Sequence, residues 1–178
     1  MAETFMGLAK VKVILTELVH TLKEEFHAWD NIAFIGIRKG GGHVAQAIVD
    51  MLKAEIKKTL PLGFLDISFY RDDFSKWQAY PEVKSTHIPF DVNDKLIILV
   101  DDVLNTGRSV RAAIDQIVDL GRPKRIYLLV LLDRNGRELP IQPDFVGKKI
   151  TVPSDKVVKI ESSEKNPVER VIITGVKK

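Results

Sequence analysis

Two adjacent acidic residues, Asp101 and Asp102, follow an apolar run of strand length at residues 96–100. An apolar run bounded by charged residues is typical of a buried strand in a parallel sheet. The carboxyl end of such a strand opens onto the crevice where α/β sheets bind ligands. Two carboxylates there can accept hydrogen bonds from a vicinal diol, each contributing about 1.5 to 3 kcal/mol because the acceptor is charged. The pair therefore predicts a site for a ribose-like sugar.

A polar segment containing a glycine follows four residues later. Thr106 and Ser109 offer hydroxyl groups, and Gly107 offers a backbone without Cβ, at the predicted start of a helix. Free amide groups and the positive end of the helix dipole favour a phosphate at such a position. An acidic pair in a loop can also do no more than cap the next helix. Its combination with this segment favours a site for a phosphorylated sugar.

The sequence around this site resembles a known family. Residues 100–109 read VDDVLNTGRS, which matches the phosphoribosyl pyrophosphate motif of the type I phosphoribosyltransferases: a strand, two acidic residues, a spacer and a TG(R/K)(T/S) loop. One branch of that family, the pyrimidine operon regulators that double as uracil phosphoribosyltransferases, is similar also at YRDD (70–73), IP (88–89), LGRP (120–123), DR (133–134) and RELPI (137–141). The resemblance extends from about residue 32 to residue 149.

The resemblance implies a reaction and a set of site residues. The reaction is transfer of the 5-phosphoribosyl group from phosphoribosyl pyrophosphate to a nucleobase, here uracil, with Mg²⁺ bridging the pyrophosphate and the ribose hydroxyls. The catalytic residues correspond to Arg71, Asp101 and Asp102, and the two aspartates hold the ribose hydroxyls. The 5-phosphate loop corresponds to Asn105, Thr106, Gly107, Arg108 and Ser109, and the pyrophosphate loop to Arg38, Lys39, Gly40 and Gly41.

The pyrophosphate loop departs from the regulator branch, which has a Thr-Arg pair where this chain has Lys39 and Gly40. Glycines let amide groups approach a polyanion while cations neutralise it, so the change is compatible with pyrophosphate binding. The alternative is a glycine-rich turn between a strand and a helix, with solvated charges.

Arg71 follows a predicted strand at residues 64–70 and precedes a long segment without periodicity, residues 74–87. Loops of this length in compact domains are usually functional or mobile. In the family this region is the flap that closes over the active site and excludes water. Trp77 and Tyr80 are alternatively explained as anchors of a dimer contact.

Two features bear on the base. In the related 6-oxopurine enzymes the position of Asn105 is an aspartate proposed to act on the purine ring, and an amide cannot serve as that base. Residues 143–147, PDFVG, nevertheless resemble the base-binding hood of the purine enzymes, with Phe145 and Val146 as base-binding residues. Phe145 is equally well explained as a core residue. A 6-oxopurine phosphoribosyltransferase is therefore the alternative to a uracil enzyme.

Apolar stripes at helical spacing predict three helices. The stripes consist of Val11, Ile14, Leu15, Leu18, Val19, Leu22 and Phe26; Val44, Ala45, Ile48, Met51 and Leu52; and Val110, Ala113, Ile114, Ile117 and Val118. Strands are predicted at residues 32–37, 64–70, 96–100 and 126–132, with shorter ones at 157–160 and 171–173. This alternation predicts an α/β fold, with a central, mostly parallel sheet flanked by helices on both faces. We expect one domain over residues 1–178, with the family's small hood subdomain formed mainly by residues 140–178.

Composition narrows the remaining possibilities. The 178 residues are 45% hydrophobic and 29% charged and include no cysteine, which excludes a disulfide framework and a thiolate site. No apolar run is long enough to span a membrane, and the start of the chain lacks a secretory pattern, so we expect a cytoplasmic protein.

The regulator branch also binds messenger RNA, which requires a continuous basic face. The net charge here is only +3, and Gly136 replaces the histidine that precedes the counterpart of Arg137 in that branch. The first predicted helix lacks the branch's arginines and carries Lys10, Lys12, His20 and Lys23. These departures favour a solvated surface over an RNA-binding one. The resemblance also implies a homo-oligomer, commonly a dimer.

Overall fold

The computed structural model describes residues 3–38, 40–67, 86–163 and 165–175. The elements follow in the order β1 (Glu3–Met6), α1 (Leu8–Glu25), β2 (Ile32–Ile37), α2 (Gly40–Ile56), β3 (Leu62–Leu65), β4 (Leu96–Leu104), α3 (Arg108–Leu120), β5 (Arg125–Arg134), β6 (Phe145–Ile150), β7 (Lys156–Glu161) and β8 (Arg170–Gly175). The predicted alternation of strands and helices is confirmed.

The larger sheet has five strands in the order β3-β2-β4-β5-β6, and every neighbouring pair is parallel. β2 is buried at all six positions, as expected for a strand covered on both faces. The apolar faces of α1 and α2 pack on one side of the sheet, and that of α3 packs on the other. The predicted α/β fold with helices on both faces is therefore confirmed.

The order of the strands creates a crevice at one edge of this sheet. The chain leaves β2 through α2 to reach β3 on one side, and it leaves β4 through α3 to reach β5 on the other. The carboxyl ends of β2 and β4 thus flank a topological switch point, where open α/β sheets bind ligands. Gly36 of β2 is level with Val100 of β4. The two predicted ligand loops therefore begin side by side.

A second, antiparallel sheet has the strand order β1-β8-β7. β7 and β8 lie where the sequence predicts the short strands of the hood. β6, which lies within the range predicted for the hood, pairs with β5 in the parallel sheet, and β1, at the start of the chain, pairs with β8 in the antiparallel sheet. A buried arginine links the two sheets: Arg134, at the end of β5, donates to the carbonyl oxygens of Val152 and Lys156.

Two local predictions differ from the structure. The strand predicted at residues 64–70 is found at Leu62–Leu65, and residues 68–70 lie outside the described residues. Val118 is 58% exposed, although it belongs to the apolar stripe of α3. The buried side of α3 is centred on Val110, Ala113 and Ile117, and Val118 lies about 100° further round the helix.

Two exposed ion pairs lie away from the crevice. Lys23 of α1 donates to Glu55 of α2 at 2.6 Å, and this hydrogen bond holds the pKa of Glu55 below its ordinary value. The hydrogen bond from Lys58 likewise lowers the pKa of Asp30, which precedes β2 at the amino edge of the sheet. Exposed pairs of this kind contribute little to stability.

Candidate functional site

The two aspartates lie inside β4, near its carboxyl end. β4 continues to Leu104, four residues beyond the predicted end of the strand. Asp101 is only 7% exposed, and its Oδ1 accepts the amide of Asp102 at 2.9 Å. Because successive strand residues point to opposite faces, one carboxylate is directed to each side of the sheet. Asp101 lies on the α3 side and Asp102 on the α2 side.

On the α3 side, Asp101 shares a recess of about 40 Å³ with the predicted 5-phosphate loop. The residues that line the recess all lie between positions 101 and 110 and include Asp101, Asn105, Thr106, Gly107 and Ser109. Gly107 has a φ of 92°, a conformation that glycine adopts without steric cost, and it begins α3 as the N-cap. The amide groups of the first turn of α3 are therefore presented at the recess.

The side chain of Arg108 has a different environment from its neighbours in this loop. Its Nε donates to Glu138 at 2.6 Å, and Arg108 does not belong to the residues that line the recess. Thr106 Oγ1 accepts the Arg108 amide at 3.3 Å. Of the five predicted loop residues, the structure brings four to the recess and directs the fifth toward the segment after β5.

On the α2 side, the first residues of α2 lie directly against β4. A Cβ built on Gly40 would overlap the carboxylate of Asp102, and one built on Gly41 would lie 2.8 Å from the Cα of Asp101. Only glycine permits this approach. The amino end of α2, where the first amide groups of a helix have no partner within the helix, thus lies beside the acidic pair, which brings Gly40 and Gly41 to the predicted site.

The remaining residues predicted for the pyrophosphate side are only partly described. The guanidinium of Arg38 lies over the ring of Phe64, 5.5 Å from its centroid, and the Arg38 amide donates to the Leu65 carbonyl. Lys39 and Arg71 lie outside the described residues, as do Trp77 and Tyr80. The predicted roles of these four residues stay predictions.

The segment after β5 contributes a brace that the sequence analysis did not identify. The Glu138 and Leu139 amides donate to the Thr106 carbonyl at 3.0 and 3.2 Å, and Arg137 donates to the Asn105 carbonyl at 2.6 Å. The RELPI motif was noted as part of the resemblance, without a role. The motif follows β5, which ends at the same sheet edge as β4. This position could have indicated that the motif contacts the 5-phosphate loop.

Comparison with known proteins decides the family. A model described as the phosphoribosyl transferase domain matches residues 8–164. The chain belongs to the phosphoribosyltransferase family. The resemblance stated from the sequence is confirmed, and the acidic pair, the recess and the glycine-rich helix start lie within the matched part of this phosphoribosyltransferase.

Similar proteins from several bacteria carry the same name. The chain is 44% identical over 164 residues to the Bifunctional protein PyrR of Acetivibrio thermocellus, covering 92% of this chain and 89% of the relative. It is 45% identical over 159 residues to the Bifunctional protein PyrR of Pelotomaculum thermopropionicum, covering 89% and 88%. The similarity to the regulator branch that the sequence indicated is therefore confirmed.

Solved structures with the same fold are more distant in sequence. A hypoxanthine-guanine phosphoribosyltransferase from Bacillus anthracis has a TM-score of 0.70, 19% identity, and coverage of 98% of both chains. A hypoxanthine phosphoribosyl transferase from Trypanosoma cruzi has a TM-score of 0.71, 14% identity, and coverage of 97% and 90%. At these identities the comparison shows the fold alone, which is that of the type I phosphoribosyltransferases.

The structure favours the second interpretation of Phe145, as a core residue. Phe145 is 6% exposed and packs in the core of this phosphoribosyltransferase, with its ring centroid 6.0 Å from that of Phe26 and 5.9 Å from that of Tyr127. Val146 points to the other face of the sheet, where it is partly buried against the α3-side core. In the sequence, this short apolar segment fits both a base-binding segment and a core strand. The pairing of β6 with β5 shows that it is a core strand.

Substitution of Phe145 by leucine tests this assignment. We expect the free energy of unfolding to fall by about 1 to 2 kcal/mol, because a packed ring is replaced by a smaller side chain. The KM for the nucleobase should stay unchanged. Thermal unfolding and steady-state kinetics measure the two effects, with Phe5→Leu on the exposed β1 as the control. A raised KM at unchanged stability would restore the base-binding role.

Two features are absent from the part of the chain that the structure describes, namely a membrane-spanning helix and a metal-binding cluster. Among the described residues, no helix combines the length and the apolar character needed to cross a membrane. The same residues include no group of three or more histidine, aspartate or glutamate side chains that could hold a metal ion.

Proposed function

We propose that this phosphoribosyltransferase transfers the 5-phosphoribosyl group from phosphoribosyl pyrophosphate to uracil and releases pyrophosphate. The observation that carries the proposal is the position of Asp101 and Asp102. They lie between the 5-phosphate recess on one side of β4 and the glycine-rich start of α2 on the other. Phosphoribosyl pyrophosphate has a phosphate at one end of the ribose and a pyrophosphate at the other. Its site therefore needs two phosphate-binding regions with groups that bind the ribose between them.

The 5-phosphate is assigned to the recess on the α3 side. Thr106 and Ser109 supply hydroxyl groups, and the start of α3 supplies amide groups and the positive end of its dipole. The ribose hydroxyls are assigned to Asp101 and Asp102. A nearly buried carboxylate such as Asp101 forms stronger hydrogen bonds than an exposed one, because fewer water molecules compete for it.

The pyrophosphate is assigned to the start of α2. The close approach of Gly40 and Gly41 to β4 brings the first amide groups of α2 beside the acidic pair, from where they can contact phosphate oxygens next to the ribose. Arg38 adds positive charge close to this helix start, and Lys39, which lies outside the described residues, directly precedes Gly40 in the sequence. Negative charge builds on the departing pyrophosphate while the sugar carbon becomes cationic, so fixed amides and cations at this place stabilise the transition state.

The acidic pair fits a role for Mg²⁺ together with the substrate. Mg²⁺ prefers oxygen ligands, keeps several water molecules and commonly uses one or two carboxylates plus substrate phosphates. Asp101 and Asp102 offer such oxygens at the ribose position, although the described residues form no metal cage. When bound, the ion neutralises charge on the pyrophosphate, and the two aspartates position the ribose hydroxyls.

Uracil is the proposed base because of the relatives and because of Asn105. The PyrR proteins are similar to this chain over about nine tenths of its length, and the sequence resembles the branch in which uracil transfer occurs. Asn105 lies in the recess where the purine enzymes are expected to carry a basic aspartate. Uracil salvage in the cytoplasm and a dimeric assembly, both expected from the sequence, belong to the same proposal.

Binding of messenger RNA is the second candidate function, since the relatives are named bifunctional. Two observations count against it. The lysines of α1 share that helix with Glu17, Glu24 and Glu25, and Lys23 is paired with Glu55. Arg137 is directed inward to Asn105 and Asp133. A gel-shift titration with a pyrimidine leader RNA at several salt concentrations tests this function, and tight, sequence-specific binding would establish it.

A panel of bases tests the main proposal. The purified protein is incubated with phosphoribosyl pyrophosphate, Mg²⁺ and, separately, uracil, hypoxanthine, guanine, adenine or orotate, and nucleotide and pyrophosphate are measured. We expect product with uracil. Product with a purine alone would replace uracil by the 6-oxopurine alternative. Absence of product with every base would contradict the proposed reaction.

A further inference from the structure

We propose that Arg137, held by Asp133, is a positioning residue that fixes the orientation of the 5-phosphate loop. The inference rests on the proposed function, because it assigns that loop to the 5-phosphate. It concerns residues 133–139, which lie outside the recess and contact the loop from behind.

The brace acts on two consecutive peptide groups of the loop. Arg137 Nη1 donates to the Asn105 carbonyl at 2.6 Å, and the amides of Glu138 and Leu139 donate to the Thr106 carbonyl. Both carbonyl groups are therefore directed toward residues 137–139. In a planar trans peptide the N–H points opposite to the C=O. The N–H groups of Thr106 and Gly107, which belong to these two peptides, consequently point away from the brace.

The recess lies where those amides can reach a ligand. Its lining residues, Thr106 and Gly107 included, come from positions 101–110 alone, so the brace forms none of its wall. Successive amides directed at one point form an anion site without any charged side chain. Arg137 thus directs the Thr106 amide, and the backbone amides of Glu138 and Leu139 direct that of Gly107, although none of the three residues lines the site.

Asp133 makes the brace rigid. Its carboxylate accepts Arg137 Nη2 at 2.5 Å, and both side chains are mostly buried, with 13% of Asp133 and 25% of Arg137 exposed. Asp133 lies in β5, paired in register with Leu104 of β4. A planar guanidinium bridges the two acceptors because its nitrogen atoms lie in a fixed fork. The loop is thereby tied to the end of a core strand.

Binding of two small anions separates this role from a general loss of structure. We expect Arg137→Met to raise the Kd for ribose 5-phosphate about 10- to 100-fold, because a small misplacement of binding groups has effects of this size. The Kd for inorganic pyrophosphate, which binds at α2, should not change. Arg137→Lys should lie between wild type and Arg137→Met, because one ammonium cannot reproduce the fork. Isothermal titration calorimetry measures these constants, and Arg125→Met, at the far end of β5, is the control.

Amide chemical shifts report the orientation directly. On addition of ribose 5-phosphate, the Thr106 and Gly107 amides should shift in wild type. In Arg137→Met the Thr106 amide, whose peptide Arg137 holds, should lose that response. If Arg137→Met does not fold, Asp133→Asn is used, which keeps the shape of the partner and removes its charge. Like Arg137→Met, Asp133→Asn should weaken the binding of ribose 5-phosphate and leave the binding of pyrophosphate unchanged.

The outcomes distinguish the inference from the function on which it rests. If wild type binds ribose 5-phosphate and the Arg137 or Asp133 variants bind it equally tightly, the inference is overturned and the proposed function stands. Equal weakening for ribose 5-phosphate and pyrophosphate would also overturn it, since the effect would then be a general one. If wild type binds no ribose 5-phosphate, the assignment of the recess and the inference fail together.

Discussion

Replacement of Asp101 and Asp102 together by asparagine is expected to remove nearly all turnover while the protein stays folded. Each charged hydrogen bond to the ribose contributes about 1.5 to 3 kcal/mol, so loss of both charges lowers kcat/KM by about 10² to 10⁴-fold. The fold should survive because an asparagine oxygen can still accept the backbone amides that Asp101 and Asp102 accept now. Pyrophosphate release and thermal unfolding measure the two effects.

Asp115→Asn is the matched control for the double variant. Asp115 lies on the exposed face of α3 in an ion pair with Arg111, and the same type of substitution there should leave turnover unaltered. Near-normal activity in the double variant would show that neither carboxylate belongs to the proposed site. A loss of activity accompanied by unfolding would instead assign them a structural role.

Replacement of Gly41 by alanine should have the second largest effect. The new Cβ would lie 2.8 Å from the Cα of Asp101 and closer still to the Val100 carbonyl oxygen. These are backbone atoms of a central strand, which cannot move aside as the end of a side chain can. We expect a loss of about 1 to 3 kcal/mol in the free energy of unfolding, as in other overpacked sites. Turnover should fall about 100-fold, because α2 and β4 are forced apart at the site.

Gly175→Ala controls for the loss of a glycine as such. A Cβ on Gly175 would meet no atom within 4 Å, so stability should change by less than about 0.5 kcal/mol. Chemical denaturation and steady-state kinetics of both variants provide the comparison. Wild-type activity and stability in Gly41→Ala would show that α2 does not need to approach β4 so closely.

The sequence predicts the core of the fold well because its strands are buried on both faces. Uninterrupted apolar runs such as residues 32–37 and 96–100 predict a strand and not a surface loop, and both runs are strands in the structure. The apolar stripe of α1 is buried as predicted. The acidic pair and the 5-phosphate loop could be placed at one sheet edge for the same reason. The pair lies near the carboxyl end of β4, and the loop follows that strand.

Long-range pairing explains what the sequence could not predict. The sequence around Phe145 is equally compatible with a ring that covers a ligand and with a ring that packs in the core. Only the pairing of β6 with β5 distinguishes the two interpretations. The brace formed by Arg137 depends on hydrogen bonds between residues 32 positions apart, which leave no periodic signal. Val118 shows that a stripe fixes the side of a helix only to within about one residue.

We propose that phosphoribosyl pyrophosphate spans the acidic pair, and a crystal structure with phosphoribosyl pyrophosphate and Mg²⁺ tests this most directly. We expect the 5-phosphate in the recess lined by Thr106, Gly107 and Ser109, the ribose hydroxyls beside Asp101 and Asp102, and the pyrophosphate at the start of α2. Density for the ligand elsewhere, or a ribose that contacts neither aspartate, would contradict the assignment of this crevice.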